Sequence, residues 1–230
     1  VESKKMNVGL IVAAGRGHRL GGPIPKQYRA LAGIAILRHT VLRYLAHPEI
    51  AAVQVLIHPS DQGLYDEAIA GLQLRPALFG GATRQDSVRL GLEGIADLAP
   101  ANVLIHDAVR PFVSPQTISA VLAALTRNPA AIAGVPLADT LKRCADGRVT
   151  GTIDRQNLYR AQTPQGFRYG DILAAHRQAA LGHAGVELTD DAMVAEYAGL
   201  AVEMVPGSED NFKITTEHDL LRAEALLAQA

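Results

Sequence analysis

Apolar and polar positions along this chain switch repeatedly between two periods. Residues 8–14 are apolar on both faces, the pattern of a central strand in a parallel sheet. Ile36, Leu37, Thr40, Val41, Tyr44 and Leu45 then repeat at helical spacing. The alternation continues. Ala52–Ile57 reads as a second strand before a helical stretch at 61–72, and 76–79 as a short third strand before a helix at 86–98. That helix carries Val88, Leu92 and Ile95 along one side. Residues 103–106 form another buried strand. Ser114-Pro115 supplies an N-cap and a first-turn proline for a helix running to about residue 126, and 131–135 is again strand-like.

At residue 137 the pattern changes. Two β-compatible runs, 140–143 and 148–153, flank Ala145-Asp146-Gly147, and Asp-Gly between such runs signals a hairpin. We read 137–158 as an arm inserted into the α/β pattern. Helices resume near 170–181 and 190–198, 201–205 is a late strand, and Thr216-Glu217-His218-Asp219 opens a final helix as a capping box. The expected fold is a single α/β domain over residues 1–230, with a mostly parallel central sheet flanked by helices and a projecting β-hairpin arm.

Composition narrows the function classes. Lys and Arg total 22 against 23 Asp and Glu, for a net charge of -1, which argues against a general nucleic-acid binder. No apolar run reaches the ~18 residues of a membrane span. Lys4-Lys5 ahead of the apolar 8–14 run loosely mimics a secretory signal, but the run is short and continues into Gly15-Arg16-Gly17. The single cysteine, Cys144, excludes an intramolecular disulfide and a Cys-rich zinc site, and suits a reducing cytoplasm.

Candidate chemistry begins where the first strand ends. Ala13-Ala14-Gly15-Arg16-Gly17 lets backbone approach a ligand and turn N–H groups toward an anion, at the carboxyl end of a strand. It is neither a dinucleotide fingerprint, since Leu20 replaces the third glycine, nor a Walker loop, since Pro23 replaces the lysine. Arg16, Arg19 and Lys26, in Pro25-Lys26-Gln27-Tyr28, place three cations within eleven residues. A bare turn has no use for them; a triphosphate does. The histidines lack metal-ligand spacing.

These motifs resemble the sugar and polyol phosphate cytidylyltransferases, and within them the 2-C-methyl-D-erythritol 4-phosphate cytidylyltransferase family of the non-mevalonate isoprenoid pathway. Further runs agree in family order: Arg84-Gln85-Asp86-Ser87-Val88, His106-Asp107-Ala108-Val109-Arg110-Pro111, Asp139-Thr140-Leu141-Lys142, Asp154-Arg155, Gln162-Thr163-Pro164-Gln165, Thr189-Asp190-Asp191-Ala192 and Asn211-Phe212-Lys213-Ile214-Thr215. The resemblance implies a Rossmann-like nucleotidyltransferase fold and transfer of a cytidylyl group from CTP, with Mg²⁺, to the polyol phosphate. It implies that Ala13, Ala14, Gly15 and Gly17 wrap the CTP phosphates, and that Gly81, Arg84 and Ser87 meet the cytosine. Arg19, Lys26, Arg155 and Lys213 would serve catalysis. Asp107, Arg110, Thr140, Arg155, Thr163, Thr189 and Lys213 would bind the acceptor substrate. The metal would sit mainly on the triphosphate, near Asp107 or Asp210. Through the 137–158 arm the family forms homodimers, and some members are fused to the cyclodiphosphate synthase of the same pathway.

Two departures stand out: Val12 where the family often has proline, and Ala82-Thr83 where an acidic pair is usual. The second puts a side-chain contact to the base at 82 in doubt, but not a backbone contact. Two other readings fit the nucleotide half: a cytidylyltransferase for another polyol phosphate such as ribitol 5-phosphate, and a non-catalytic nucleotide-binding regulatory module. Retention of Arg19 and Lys26 argues against the latter.

Overall fold

The computed structural model describes residues 6–16, 24–182 and 188–229. Its centre is β1 (Asn7–Ala13), paired in parallel with β4 (Ala52–Ile57) on one side and β6 (Asn102–Asp107) on the other. Alternate residues of β1 face opposite layers: Val8 and Leu10 pack with Val103, Ile105 and Val88, whereas Ile11 and Ala13 pack with Leu37, Val41 and Leu104. Being buried on both faces is what makes this strand apolar throughout. The in-register pairs Ala13 with Ile57 and Val12 with Asp107 bring three strand ends level. The loops that follow therefore share one edge, where parallel sheets bind ligands.

Between β1 and β4 lie the short strands β2 (Ala30–Leu31) and β3 (Ile34–Ala35), which the sequence pattern did not announce, and helix α1 (Ile36–Leu45). Helix α2 (Gln62–Ala68), strand β5 (Leu78–Phe79) and helix α3 (Arg84–Gly94) follow β4, each shorter than the periodicity suggested. Helix α4 (Pro115–Ala124) begins as expected, with the Ser114 side chain accepting from the Thr117 N–H. Strand β7 (Ala130–Pro136) completes the expected set before the arm.

The arm is a hairpin of β8 (Leu141–Ala145) and β9 (Arg148–Ile153). Asp146 and Gly147 both take positive φ, 48° and 74°, as a tight two-residue hairpin turn requires. Nearly every arm side chain is exposed.

The largest difference from expectation is β10 (Tyr159–Arg168). This strand lies inside the seven-stranded sheet, ordered β11-β7-β10-β6-β1-β4-β5, and runs antiparallel to both its neighbours. Pro164 hides it, because proline argues against an interior strand. The chain accommodates the proline in a register break between Ala161 and Gln165. Helices α5 (Tyr169–Leu181) and α6 (Asp191–Tyr197), strand β11 (Val202–Pro206) and helix α7 (Glu217–Leu227) finish the fold. Thr216 and Asp219 form the capping box foreseen for α7. Among the described residues no helix is long and apolar enough to cross a membrane.

Candidate active site

A cleft of about 420 Å³ opens over the level ends of β1, β4 and β6. Its floor is the loop after β1. The Gln27 side chain, buried behind it, donates from Nε2 to the carbonyls of Ala13 (2.7 Å) and Gly15 (3.1 Å). With those carbonyls occupied, N–H groups are what the loop retains for a ligand. Arg16 reaches sideways to the buried Asp61, at 2.8 Å. Lys26 opens the turn that carries Gln27 and lines the cleft.

The facing wall is the loop between β5 and α3. A Cβ at Gly80 would lie 2.5 Å from Ala14 Cβ and 2.7 Å from Ser87 Oγ, and one at Gly81 would lie 2.6 Å from Asp86 Cβ. Gly80 is therefore the condition for this loop to touch the first, and Gly81 for it to close against the start of α3. Ser87 Oγ accepts from the Gly81 N–H (3.1 Å) and donates to the Thr83 carbonyl (2.8 Å). The Thr83 hydroxyl caps α3 through the Asp86 N–H (3.0 Å) and donates to the Asp86 carboxylate (2.9 Å). That commits the side chain at 83 to the helix and leaves backbone and Arg84 facing the cleft.

Asp107 is the only acidic residue lining the cleft among the described residues. Lys213 Nζ lies 3.0 Å and Arg110 Nε 3.3 Å from its Oδ2. Burial alone would raise this carboxyl, but the charges of Lys213, Arg110 and Arg84 outweigh it and hold it well below the usual carboxylate range. Its backbone N–H donates to Thr163 Oγ1 (3.1 Å), which lies 2.9 Å from His106 Nδ1. His106 Nε2 lies 3.1 Å from the Arg110 carbonyl, an acceptor, so Nε2 carries the proton and Nδ1 accepts from Thr163. Burial pushes the His106 imidazole down to about 4, which keeps it neutral. Arg110 Nη1 also donates to the Asn211 carbonyl (2.7 Å), tying the Lys213 segment to the β6 loop.

The expected site residues separate into two groups. Ala13, Ala14, Gly15, Lys26, Gly81, Arg84, Ser87, Asp107 and Lys213 line the cleft together. Arg110 and Thr163 stand behind it, with their polar atoms engaged in holding Asp107 and its neighbours. Thr140, Arg155 and Thr189 are exposed and do not line it. Asp210 lies 4.0 Å from Arg222 rather than in the cleft. Gly17 and Arg19 fall outside the described residues. Sequence reading passed over His58, which lines the cleft at the end of β4 with Nδ1 accepting from the Ser60 N–H (3.1 Å). Its place just after a parallel strand was the available signal.

Among the described residues no group of three or more His, Cys, Asp or Glu could hold a metal ion. One carboxylate in a cleft lined by Lys and Arg fits a divalent cation that takes most of its oxygens from a bound polyphosphate.

Residues 8–229 match the family described as IspD, 2-C-methyl-D-erythritol 4-phosphate cytidylyltransferase. Bifunctional enzymes IspD/IspF from Paramagnetospirillum magneticum and Rhodospirillum rubrum are 60% and 58% identical over 217 and 218 residues, in each case 94% of this chain and 56% of the relative. The chain thus spans about half the length of these relatives. The 2-C-methyl-D-erythritol 4-phosphate cytidylyltransferase of Francisella tularensis superposes with TM-score 0.82 at 30% identity, over 96% of this chain and 99% of that one. The Thermus thermophilus enzyme of the same description gives 0.76 at 32% identity, over 95% and 98%.

Proposed function

The chain belongs to the 2-C-methyl-D-erythritol 4-phosphate cytidylyltransferase family, and from that premise we propose that it transfers a cytidylyl group from CTP to 2-C-methyl-D-erythritol 4-phosphate. The products are 4-diphosphocytidyl-2-C-methyl-D-erythritol and pyrophosphate. The observation that carries this reading is the cleft. Glycine-loop backbone, Lys26, Arg84 and Lys213 converge on one space that holds, among the described residues, a single carboxylate.

In the reaction a phosphate oxygen of the acceptor attacks the α-phosphorus of CTP, and the bond to the β-phosphate oxygen breaks. The acceptor phosphate is already anionic at neutral pH, so no general base is needed. Catalysis becomes alignment of two polyanions with neutralisation of the charge that develops. Lys26 lies beside the glycine loop and serves the α-phosphate. Arg19, outside the described residues, is assigned the same role. Lys213, on the other side of the cleft, receives the acceptor phosphate, with Asp107 orienting it. Asp107 is also the residue that would meet a divalent cation such as Mg²⁺. A divalent cation held there would supply screening of the negative charge that the triphosphate carries.

Thr140 and Arg155 need a route to an acceptor site, and the exposed arm suggests one. An isolated two-stranded hairpin is marginal in water. We assign the arm, residues 137–158, to pairing with a second copy of the chain, which delivers Thr140 and Arg155 to the partner's cleft. The exposed Val149 on β9 supports burial there. We read residues 1–230 as one such domain working in the cytoplasm, where the single exposed Cys144 stays reduced.

The test is pyrophosphate release from each of the four nucleoside triphosphates with a panel of polyol phosphates. CTP with methylerythritol 4-phosphate should turn over fastest. Faster turnover with ribitol 5-phosphate would reassign the acceptor, and no turnover with any pair would leave a nucleotide-binding module.

A further inference from the structure

Arg84 begins α3 with its guanidinium on the cleft wall, 30% exposed. One of its nitrogens is already taken: Nη2 lies 2.6 Å from Oδ2 of Asp191. Asp191 is fully buried, and its other carboxylate oxygen is 3.3 Å from Nε2 of His176, which is also fully buried on α5. The backbone that carries this carboxylate is fixed as well. Gln165 Oε1 accepts from the N–H groups of Asp191 and Ala192, both at 3.0 Å, and its Nε2 donates to Asp190 Oδ2 at 2.8 Å. Gln165 itself is buried in β10. Asp191 is thus held to the central sheet, and Arg84 must conform to it.

A buried ion pair is a poor way to gain stability, because apolar replacements often serve as well. What it provides here is a fixed place for a long, flexible side chain. A guanidinium has five N–H donors. An anchored one presents those left over from the anchor without the ordering cost that a free arginine incurs when it closes on a ligand.

We propose that Asp191, held by Gln165, is a positioning residue that pins Arg84 against the cleft wall so that its remaining N–H groups meet bound CTP. The inference rests on the cytidylyl reading and adds a role to residues that otherwise look like helix-capping polar groups. It also links the two halves of the cleft through one strand, since Thr163 and Gln165, two residues apart on β10, hold Asp107 and Asp191 respectively.

The test is a double-mutant cycle on CTP affinity, measured by calorimetry with Mg²⁺ on the whole chain. Asp191→Asn should weaken CTP binding about tenfold, while kcat at saturating CTP stays within about twofold. In an Arg84→Ala background the same change should add less than about twofold, as expected of residues that act as a unit. A full tenfold loss in that background overturns the proposal, because Asp191 would then act on CTP without Arg84. Gln165→Met is the milder variant for use if Asp191→Asn does not fold. Its few-fold loss of affinity must also vanish without Arg84, and a loss that persists overturns the proposal.

A ligand-free readout separates this inference from the reading beneath it. In the apo protein the two Nη groups of Arg84 should give separate NMR signals, which merge in Asp191→Asn. Signals that stay separate in the variant overturn the anchoring. A wild-type chain that binds no CTP overturns the cytidylyl reading, while merging signals still support the anchoring.

Discussion

The two halves of the cleft are built differently. On the side we assign to the nucleotide, the cleft lining comes from short local segments at strand ends. The loop after β1, the turn holding Lys26 and the double glycine before α3 line one cleft, and Gly80 lets the last of these pack against Ala14. Of the residues expected to bind the acceptor, Asp107 and Lys213 reach the cleft, and they are paired with each other. Arg110 and Thr163 are engaged behind Asp107, and Thr140, Arg155 and Thr189 remain on the surface. One half stands assembled within a single chain. The other holds the Lys213–Asp107 charge pair, which on our reading an incoming phosphate divides while the site waits for groups from a second chain.

The largest effects should come from one cation in each half. Lys26→Ala should lower kcat by about 10²–10³-fold, the loss typical of removing one donor to developing charge, with CTP binding weakened less. An unchanged kcat would reduce that loop to a structural turn. Arg155→Ala should leave the homodimer nearly inactive for a different reason, the loss of a group given to the neighbour. Mixing the two variants tests the difference. After subunit exchange about half the dimers are heterodimers with one wholly wild-type site each, so activity should return to roughly a quarter of wild type. No return despite proven exchange would mean that Arg155 serves its own chain.

Acid should reach His106 and the buried carboxylates in different windows. His106 sits under the acceptor half, neutral, with burial holding it at about 4. As pH falls from about 6.5 toward 4 the unfolded chain takes up a proton there that the native state refuses, so stability should drop by on the order of 3 kcal/mol. Asp191 sits under the nucleotide half. Burial would raise it, but Arg84 and then His176 bring it down to about 2. A carboxylate depressed in this way contributes stability that is full above about pH 4 and is lost as pH falls through about 2. Urea unfolding across pH 7 to 2 should therefore show two sloping segments. His106→Gln should flatten the upper one, and Asp191→Asn should make the lower one shallower without abolishing it, because Asp107 is also held low. A variant that changes both, or neither, contradicts the assignment.

The same contrast governs how much could be read without a structure. The nucleotide half was legible because its chemistry is local: strand, glycine loop and cations follow one another within some twenty residues. The double glycine and Ser87 were legible for the same reason. What stayed hidden depends on contacts between distant segments. Nothing near Thr163 in sequence shows that its hydroxyl serves His106 and the Asp107 N–H, 56 residues back. Nor does the Thr189-Asp190-Asp191 run reveal an anchor for Arg84, 107 residues away. Strand β10 went unread because Pro164 imitates a loop, although the strand lies in the middle of the sheet and supports both anchors.

A smaller effect concerns the choice of base. Gly80 packs against Ala14 and Ser87, and on our reading this wall takes a pyrimidine base against its backbone. CTP should exceed ATP and GTP by at least about tenfold in kcat/KM, or roughly 1.4 kcal/mol of discrimination. Equal turnover of ATP would show that this wall does not select the base.

The smallest expected effect tests whether the halves are independent. Lys213 is carried on a segment fastened to the body by the Ile214 N–H donating to the Val109 carbonyl (2.9 Å), and by Phe212, stacked on Phe112 and covered by Arg222 from α7. Helix α7 starts at the Thr216 cap, whose Oγ1 accepts from the Asp219 N–H at 3.2 Å. Thr216→Ala removes that bond and should cost about 1 kcal/mol of stability. The loosened helix end adjoins the Lys213 segment, and its other tie, Glu217 to Arg29 at the end of the Lys26 turn, does not use the removed hydroxyl. The acceptor KM should therefore rise by no more than about threefold, well under the energy of the lost cap, while the KM for CTP stays unchanged. Steady-state kinetics with each substrate varied in turn will tell. A CTP KM that rises as far as the acceptor KM would mean that Lys213 and the β6 loop transmit the disturbance across the cleft, and that the preassembled half depends on the unfinished one.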